Sequence, residues 1–595
     1  MLTCFFTALS THAQTQNPEQ SFKEIDELLI LGAPGLALRI LEKRQPDLSS
    51  ENTQLWLMWE KKRIQLMQKL QRWSLIVERV DQLVKANQDD IAWFQTQQVK
   101  AYLKLAKNPA ALSLLQKLLW NTDEYIESDS IAMWRRLIIR TYLQMNKIED
   151  AQRAMRRYQQ DYGNLENEDG LQWTILQTQL LMRTHRYKEV IRSLSDAESN
   201  EEPDAKKAML LMAKLEANLQ PPQQLKQQLK KHIPTEDKQI NAGIFDFVLL
   251  KAALADKDLK LQVQLIEKFI AADKTSEIEN VFFDAQSILS ADSLWAAYES
   301  LGYKAANRYK LLRGDDEAWY LKASNLFAEK PVQAKAMYAV LAFHAQKEQH
   351  RALAFTQLAE LLDKQKSGIK IINALFIKTS KILDIEKVPA QVRYRLVDYA
   401  LLRADLKSAA KLMEKLQQSP AGKDAFGWNL RRARILLMGG QYQQGANVLD
   451  QLLTNKKEIL EAEVDQTMQV LFDLQAIDQH ALALQMFEKL DNYPLTKKLQ
   501  REITFWRAES NQALGNYEQA AYLFLKSAKP LDEKFDPWFY TASFKAAESL
   551  AQALLIDDAR RQYIKLLRVT KNTARKSVIK QRLQQLRLLK NDKIK

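Results

Sequence analysis

Apolar residues recur at steps of three and four along most of the 595-residue chain, the spacing that gives an amphipathic helix one buried face. Short polar breaks such as Gln144-Met145-Asn146-Lys147, Arg183-Thr184-His185-Arg186 and Gly439-Gly440-Gln441 interrupt the pattern. They divide it into helices of about 12–16 residues joined in pairs by tight turns. The longest apolar run found, Ala336 to Phe343, is far short of the roughly 18 residues of a membrane-spanning helix.

The pairs repeat. Trp59, Trp93, Trp134, Trp173 and Trp428 are each followed, seventeen residues on, by Ile76, Ala110, Ala151, Val190 and Gly445. Four further on come Val80, Leu114, Met155, Leu194 and Leu449. Three before the small residue stand Trp73, Lys107, Ile148, Tyr187 and Tyr442. The second half of the unit recurs without the tryptophan at Ala409/Met413, Ala483/Phe487, Ala520/Phe524 and Ala559/Tyr563. From Ala409 through Gly445, Ala483 and Ala520 to Ala559 the intervals are 36, 38, 37 and 39; from Ile76 through Ala110 and Ala151 to Val190 they are 34, 41 and 39. The small residue lets the second helix approach the first, and the aromatic fills the gap to the next pair. One pair cannot bury its apolar face alone, so the pattern predicts an all-α solenoid of stacked antiparallel pairs. About 14–16 pairs fit the length.

The run Gly515-Asn516-Tyr517-Glu518-Gln519-Ala520-Ala521-Tyr522-Leu523-Phe524, with Ala528, resembles the turn and second helix of the tetratricopeptide repeat superfamily. Gly440-Gln441-Tyr442 and His185-Arg186-Tyr187 match that turn more loosely. Departures are plain. Arg507-Ala508 and Arg432-Ala433 stand where the family has Leu-Gly, most units exceed 34 residues, and the closing proline survives only near Pro420, Pro494 and Pro530. HEAT-type pairs are the alternative. The resemblance implies a right-handed superhelix, TPR-like, that binds proteins, with periplasmic bacterial members serving outer-membrane biogenesis, polysaccharide export, pilus or flagellar machinery. A cytosolic adaptor or chaperone-like protein is the other class left open.

The expected organisation is a truncated signal peptide over 1–13, repeats over 20–195, divergent helical repeats over 205–395, repeats over 396–570 and a basic capping helix over 571–595. A hinge is expected at 195–204, and a long helix–helix loop near 529–537. Gly and Pro number only 14 each, against the roughly 7% and 5% of an average protein, which excludes a turn-rich all-β fold. The signal-peptide reading rests on the apolar or small residues Leu2–Ser10, Thr11-His12-Ala13 and the polar Gln14–Asn17, without a basic start. It places the protein in the periplasm, in association with the outer membrane or not, with the cytoplasm as alternative. Cys4 is the only cysteine, so a disulfide within the chain is excluded.

Charge changes the picture at one end only. The net charge is +14, but Ala559–Lys595 holds 13 Lys/Arg against the single acid Asp592, leaving the remainder at +2. A nucleic-acid partner needs a basic body and is therefore not expected. Asn572 or Thr573 can cap a last helix whose stripe Ile579, Leu583, Leu586, Leu589 is flanked by Arg575, Lys576, Lys580, Arg582, Arg587 and Lys590, candidate contacts for an anionic membrane surface or acidic protein.

Candidate chemistry is sparse. His344 and His350 do not share a helix face, no phosphate-binding glycine loop or nucleophile elbow is present, and neither catalytic residues, a metal nor a cofactor is expected. First-helix residues six beyond the tryptophan are expected to line the concave face: Gln65, Val99, Arg140, Gln179 and Arg434, a mostly polar line suited to other proteins. Gln65 follows Lys61 where the family's carboxylate clamp has Asn, so that feature is not carried over.

Overall fold

The computed structural model describes residues 18–30, 34–46, 48, 53–85, 90–120, 128–162, 168–195, 203–231, 242–272, 275–306, 308–420, 422–529 and 537–592. Among these, every regular element is helical and no strand occurs. No described helix is long and apolar enough to cross a membrane. The signal-peptide residues, Cys4, most of the expected hinge and the loop at 530–536 lie outside the described residues. The chain forms two compact units, 1–383 and 384–595.

The unit of construction is a turn. Helices end on a residue with φ near +55° to +90° at Gln71, Ala106, Asn146, His185, Asn218 and Lys257 in the first unit, and at Ala404, Gly440, Asp478, Gly515 and Leu554 in the second. In each, that residue's N–H donates three residues back and the next N–H five residues back, as in Asn146 to Leu143 (3.1 Å) and Lys147 to Tyr142 (2.9 Å). This closes two of the carbonyls that a helix end leaves open. Only two of these positions are glycine, although a left-handed residue with a side chain costs roughly 1–2 kcal/mol.

Five residues after the left-handed position, in all but one case, comes the close-packing site of the second helix: Ile76, Ala111, Ala151, Val190 and Gln262 in the first unit, and Ala409, Gly445, Ala483, Ala520 and Ala559 in the second. These residues are buried, most of them fully. A Cβ added at Gly445 would lie 2.6 Å from the Leu437 side chain and 3.0 Å from the Ala433 carbonyl oxygen, so the two helices already nearly touch there. Four residues on, the larger apolar partner is buried each time, as at Val80, Met155, Leu449, Phe524 and Tyr563.

One assignment shifts by a residue. Ala111 and Leu115, both fully buried, occupy the sites expected for Ala110 and Leu114, and Asn108 rather than Lys107 opens the second helix. Counting back seventeen, the anchor is Phe94, also fully buried, and not Trp93, which is half-buried. The adjacent aromatic pair masked the register. The corrected series 76, 111, 151, 190 gives intervals of 35, 40 and 39.

The tryptophans pack between repeats. Trp59 lies 5.0 Å from the Phe22 ring, Trp173 stacks on Tyr158 at 5.2 Å, and Trp428 meets Tyr394 edge-on at 5.0 Å. Trp134 Nε1 donates to Thr96 Oγ1 of the preceding pair at 2.8 Å. Within each unit, helix pairs joined by this turn pack on their neighbours in chain order, the arrangement of an α-solenoid.

The plan changes over 275–383, where among the described residues the full two-bond turn does not recur, although Gly314 makes the three-back bond to Leu311 at 3.0 Å. The helix Pro331–His344 is buried along its whole centre, from Ala334 to Ala342. It crosses the helix Ala291–Ala305 so closely at Gly302 that a Cβ there would fall 2.6 Å from the Ala336 carbonyl oxygen. Trp295 is surrounded by Phe343, Phe355 and Phe376 and donates to the Leu375 carbonyl at 3.0 Å. Inside this core the fully buried Lys335 ammonium meets both oxygens of Glu267 at 2.5 Å, and Tyr298 Oη donates to the same carboxylate at 2.7 Å. Burial lowers the pKa of Lys335 and raises that of Tyr298 well above the phenol range.

Candidate peptide-binding face

In a helix, residues four apart share a face. The first helices Ile91–Lys104, Ser128–Gln144 and Glu168–Arg183 follow one another in the first unit. Six residues beyond their anchors stand Lys100, Arg140 and Gln179; ten beyond stand Lys104, Gln144 and Arg183. Val99 does not belong to this face. It is fully buried in the core between pairs, a consequence of counting from Trp93 instead of Phe94.

Across two of these helices and the end of a third runs a segment that is not part of any helix pair. It comprises the short helix Ser276–Val281, an extended Phe282 and the single turn Ala285–Ile288. Arg140 Nη2 donates to the Glu279 carbonyl at 3.0 Å and Nη1 to Asn280 Oδ1 at 3.0 Å. Gln179 Nε2 donates to the Val281 carbonyl at 2.6 Å. Lys104 Nζ pairs with Glu279 Oε2 at 2.5 Å, and Gln286 Nε2 returns a bond to the Lys104 carbonyl at 3.0 Å. The Arg140 guanidinium also sits 5.1 Å from the Phe283 ring centre.

Apolar side chains complete the contact. Ile278, Val281, Phe282 and Phe283 are buried, and Phe282 lies 5.1 Å from the Phe247 ring. Lys251 on the helix Ala242–Ala255 holds Asp284 at 2.7 Å. Burial depresses the Arg140 pKa below the usual guanidinium value, and Glu279 offsets part of that. Burial does the same to Arg183, with Asp284 opposing it. Arg140 Nε, Gln144 Oε1 and Arg183 Nε are buried without hydrogen-bond partners.

The other expected members of the line sit differently. Gln65 is exposed. Arg434, in the second unit, is exposed and pairs with Asp473 at 2.6 Å. Lys61 is held by Asp90 at 2.7 Å. Lys104 and Arg183 were not anticipated; they follow from adding one helical turn to the predicted line. His344 and His350 face Glu299 and Asp316 respectively, and among the described residues no cluster is placed to hold a metal ion.

The basic end forms the helix Thr573–Asp592, capped by Asn572 Oδ1, which accepts from the Arg575 N–H at 3.0 Å. Ile579 and Leu586 are buried against Tyr563 and Leu566, with Leu583 partly so. The six flanking cations divide. Arg582 turns to Glu548 at 2.9 Å, and Arg575 lies 6.0 Å from the Tyr540 ring. Lys580 and Arg587 are exposed and Lys576 partly so, while the side chains of Leu589 and Lys590 lie outside the described residues. Arg560, Lys565 and Arg568 of the preceding helix are exposed as well.

No known family model matches the sequence, and no curated protein matches it. Solved structures with similarity include the yeast Tom70 crystal structure, 12% identical over 89% of this chain and 95% of that one, with a TM-score of 0.22. The APC/C hetero-tetramer Cut9–Hcn1 is 10% identical over 96% of both chains, with a TM-score of 0.26. A circular tandem repeat protein with novel repeat topology is 12% identical over 88% of this chain and 95% of that one, with a TM-score of 0.11. Likenesses this distant say nothing of what the chain binds.

Proposed function

We propose that the chain is a non-enzymatic scaffold that binds other proteins along the first-helix face of its repeats. One observation supports this above the rest: Arg140 and Gln179, at equivalent positions of successive first helices, hold a length of polypeptide by its main-chain carbonyls. Side chains that bond main-chain oxygen, here the carbonyls at the end of a short helix, recognise polypeptide while tolerating varied sequence. Gln65 and Lys100 continue the same line and are exposed. A photoreactive residue at Gln65 or Lys100, in the native host, should crosslink to a discrete protein. The same residue at exposed Arg153 on a second helix should not. Equal labelling from both faces, or none from Gln65 and Lys100, would overturn the reading.

The finer proposal is an envelope complex reached by export, on the strength of the apolar or small residues Leu2–Ser10 and the small residue Ala13. Fractionation with N-terminal sequencing of the mature protein tests it; an intact Met1 in the cytosol replaces it with a cytosolic adaptor. A second contact, with an anionic membrane surface or acidic protein, is favoured by exposed Lys580 and Arg587 beside Arg560, Lys565 and Arg568.

A further inference from the structure

Residues 276–286 are held by side chains that a solenoid does not need for its own packing. Arg140, Gln179, Lys104 and Arg183 lie on the outward rows of the first helices, where the equivalent Gln65 is exposed. The segment meets them as a ligand would. It supplies two carbonyls, an acid for Lys104, an acid near Arg183, and the apolar Val281-Phe282-Phe283. The fit is incomplete, because Arg140 Nε, Gln144 Oε1 and Arg183 Nε find no partner. Three buried polar atoms on one face mean that the face has more hydrogen-bonding capacity than this occupant uses.

We infer that residues 276–286 are an internal strap occupying the face on which a partner peptide binds, and that the partner is a protein segment of the same chemistry: an acidic residue, then an apolar residue two positions on, two aromatics and a second acid. The inference rests on the scaffold reading and names its ligand and its regulation. A tethered strap competes at an effective concentration of roughly millimolar, so an identical free peptide is outcompeted. A partner that also satisfies the three unpaired atoms binds better than the strap and releases it. The released strap leaves the first helices intact, since it belongs to no helix pair. The face is therefore closed by default and opened by a matching ligand.

The probe is a labelled peptide with the sequence of residues 275–289, tested on the full chain by fluorescence anisotropy. The strap is weakened in the double variant Glu279→Lys, Phe283→Ser, and the face is altered by adding Arg140→Ala. The weakened variant should bind the peptide at least about tenfold more tightly than the unaltered chain, and Arg140→Ala should remove most of that gain. A scrambled peptide should bind neither. Equal affinity for the unaltered and weakened chains, with helicity preserved, would overturn the strap. Should the double variant fail to fold, hydrogen exchange on the unaltered chain decides. Millimolar peptide should speed exchange within 276–286 and leave the helix Ser128–Gln144 unchanged; an unchanged strap would end the proposal. Crosslinking at Gln65 lies beyond the strap's contacts, so the scaffold reading stands or falls separately.

Discussion

The Arg140 guanidinium donates to the main-chain carbonyl of Glu279 at 3.0 Å, across 139 residues of sequence. The bond joins a repeat-equivalent first-helix position to a segment outside the repeat, and the same guanidinium meets Asn280 and the Phe283 ring. A residue expected to face a partner thus already faces protein, and the stability of that contact can be measured without knowing the partner.

Arg140→Ala removes two hydrogen bonds and the ring contact at once. Each bond to a charged donor is worth roughly 1.5–3 kcal/mol when lost, reduced here because the guanidinium no longer has to be desolvated. Amide exchange within 276–286 should accelerate about tenfold or more while the global unfolding midpoint moves little. Gln65→Ala, two pairs earlier and exposed, should leave the same amides unchanged.

The close-packing site gives a second expectation. Ala151 and Ala520 are fully buried in the two units. Phenylalanine at either position overpacks the pair and should cost roughly 1–3 kcal/mol. Because repeats depend on their neighbours, the loss should appear first in the adjoining pairs, as altered exchange or proteolysis within about one repeat. Unchanged melting and proteolysis in both variants would reject the register.

The turns give a third. Ala106 has φ of +55° and Gly515 has φ of +80°, in the same turn of different repeats. Ala106→Gly relieves a left-handed side chain but adds unfolded-state entropy, so stability should rise by at most about 1 kcal/mol. Gly515→Ala should lower it by roughly 1 kcal/mol. Thermal or urea unfolding of the two variants should move in opposite directions.

These turns also show what was legible in the chain and what was not. The pitch could be read because small residues such as Ala409 and Ala520 recur in the second helix, where close packing admits little else. The turns were faint because Gln71, His185 and Leu554 hold a conformation that usually advertises itself by glycine. The stretch around Pro331–His344 was weakly periodic for a physical reason: a helix surrounded on all sides has no polar face to set a period. Of the expected binding line, Arg140 and Gln179 are brought together on one segment and Gln65 is exposed, whereas Val99 is core. The strap itself left no trace in the pattern, since Val281-Phe282-Phe283 reads as one more apolar run. What covers Arg140 is decided by tertiary placement from more than a hundred residues away.

The buried pair yields a fourth expectation. Lys335 and Glu267 lie in the core with Tyr298 bonded to the carboxylate. Glu267→Gln keeps the shape but leaves the ammonium without its counter-charge, a change that typically costs roughly 3–5 kcal/mol. The double substitution Glu267→Gln, Lys335→Met removes both charges and should recover most of that loss. A single variant as stable as the unaltered chain would mean that Lys335 has found another acceptor.

Acid should weaken one tie within the same unit. Asp292, in the first turn of the helix Ala291–Ala305, accepts from Thr379 Oγ1 at 2.5 Å, Ser380 N–H at 2.9 Å and Ser380 Oγ at 2.7 Å. The Thr379 hydroxyl is the chief cause that lowers its pKa below 3.8; desolvation opposes it, and the Ser380 bonds and Lys381 add to it. A depressed carboxylate contributes stability that is complete above its unfolded pKa and is lost as pH falls through the folded one. Asp292→Ala should therefore destabilise by roughly 1–2 kcal/mol near neutral pH. The gap between this variant and the unaltered chain should hold down to about pH 5 and close progressively below pH 3.8, where protonation already disables the native carboxylate. Urea unfolding at a series of pH values measures both curves. A gap that is constant across that window would show that Asp292 acts through its shape and neutral hydrogen bonds, and not through its charge.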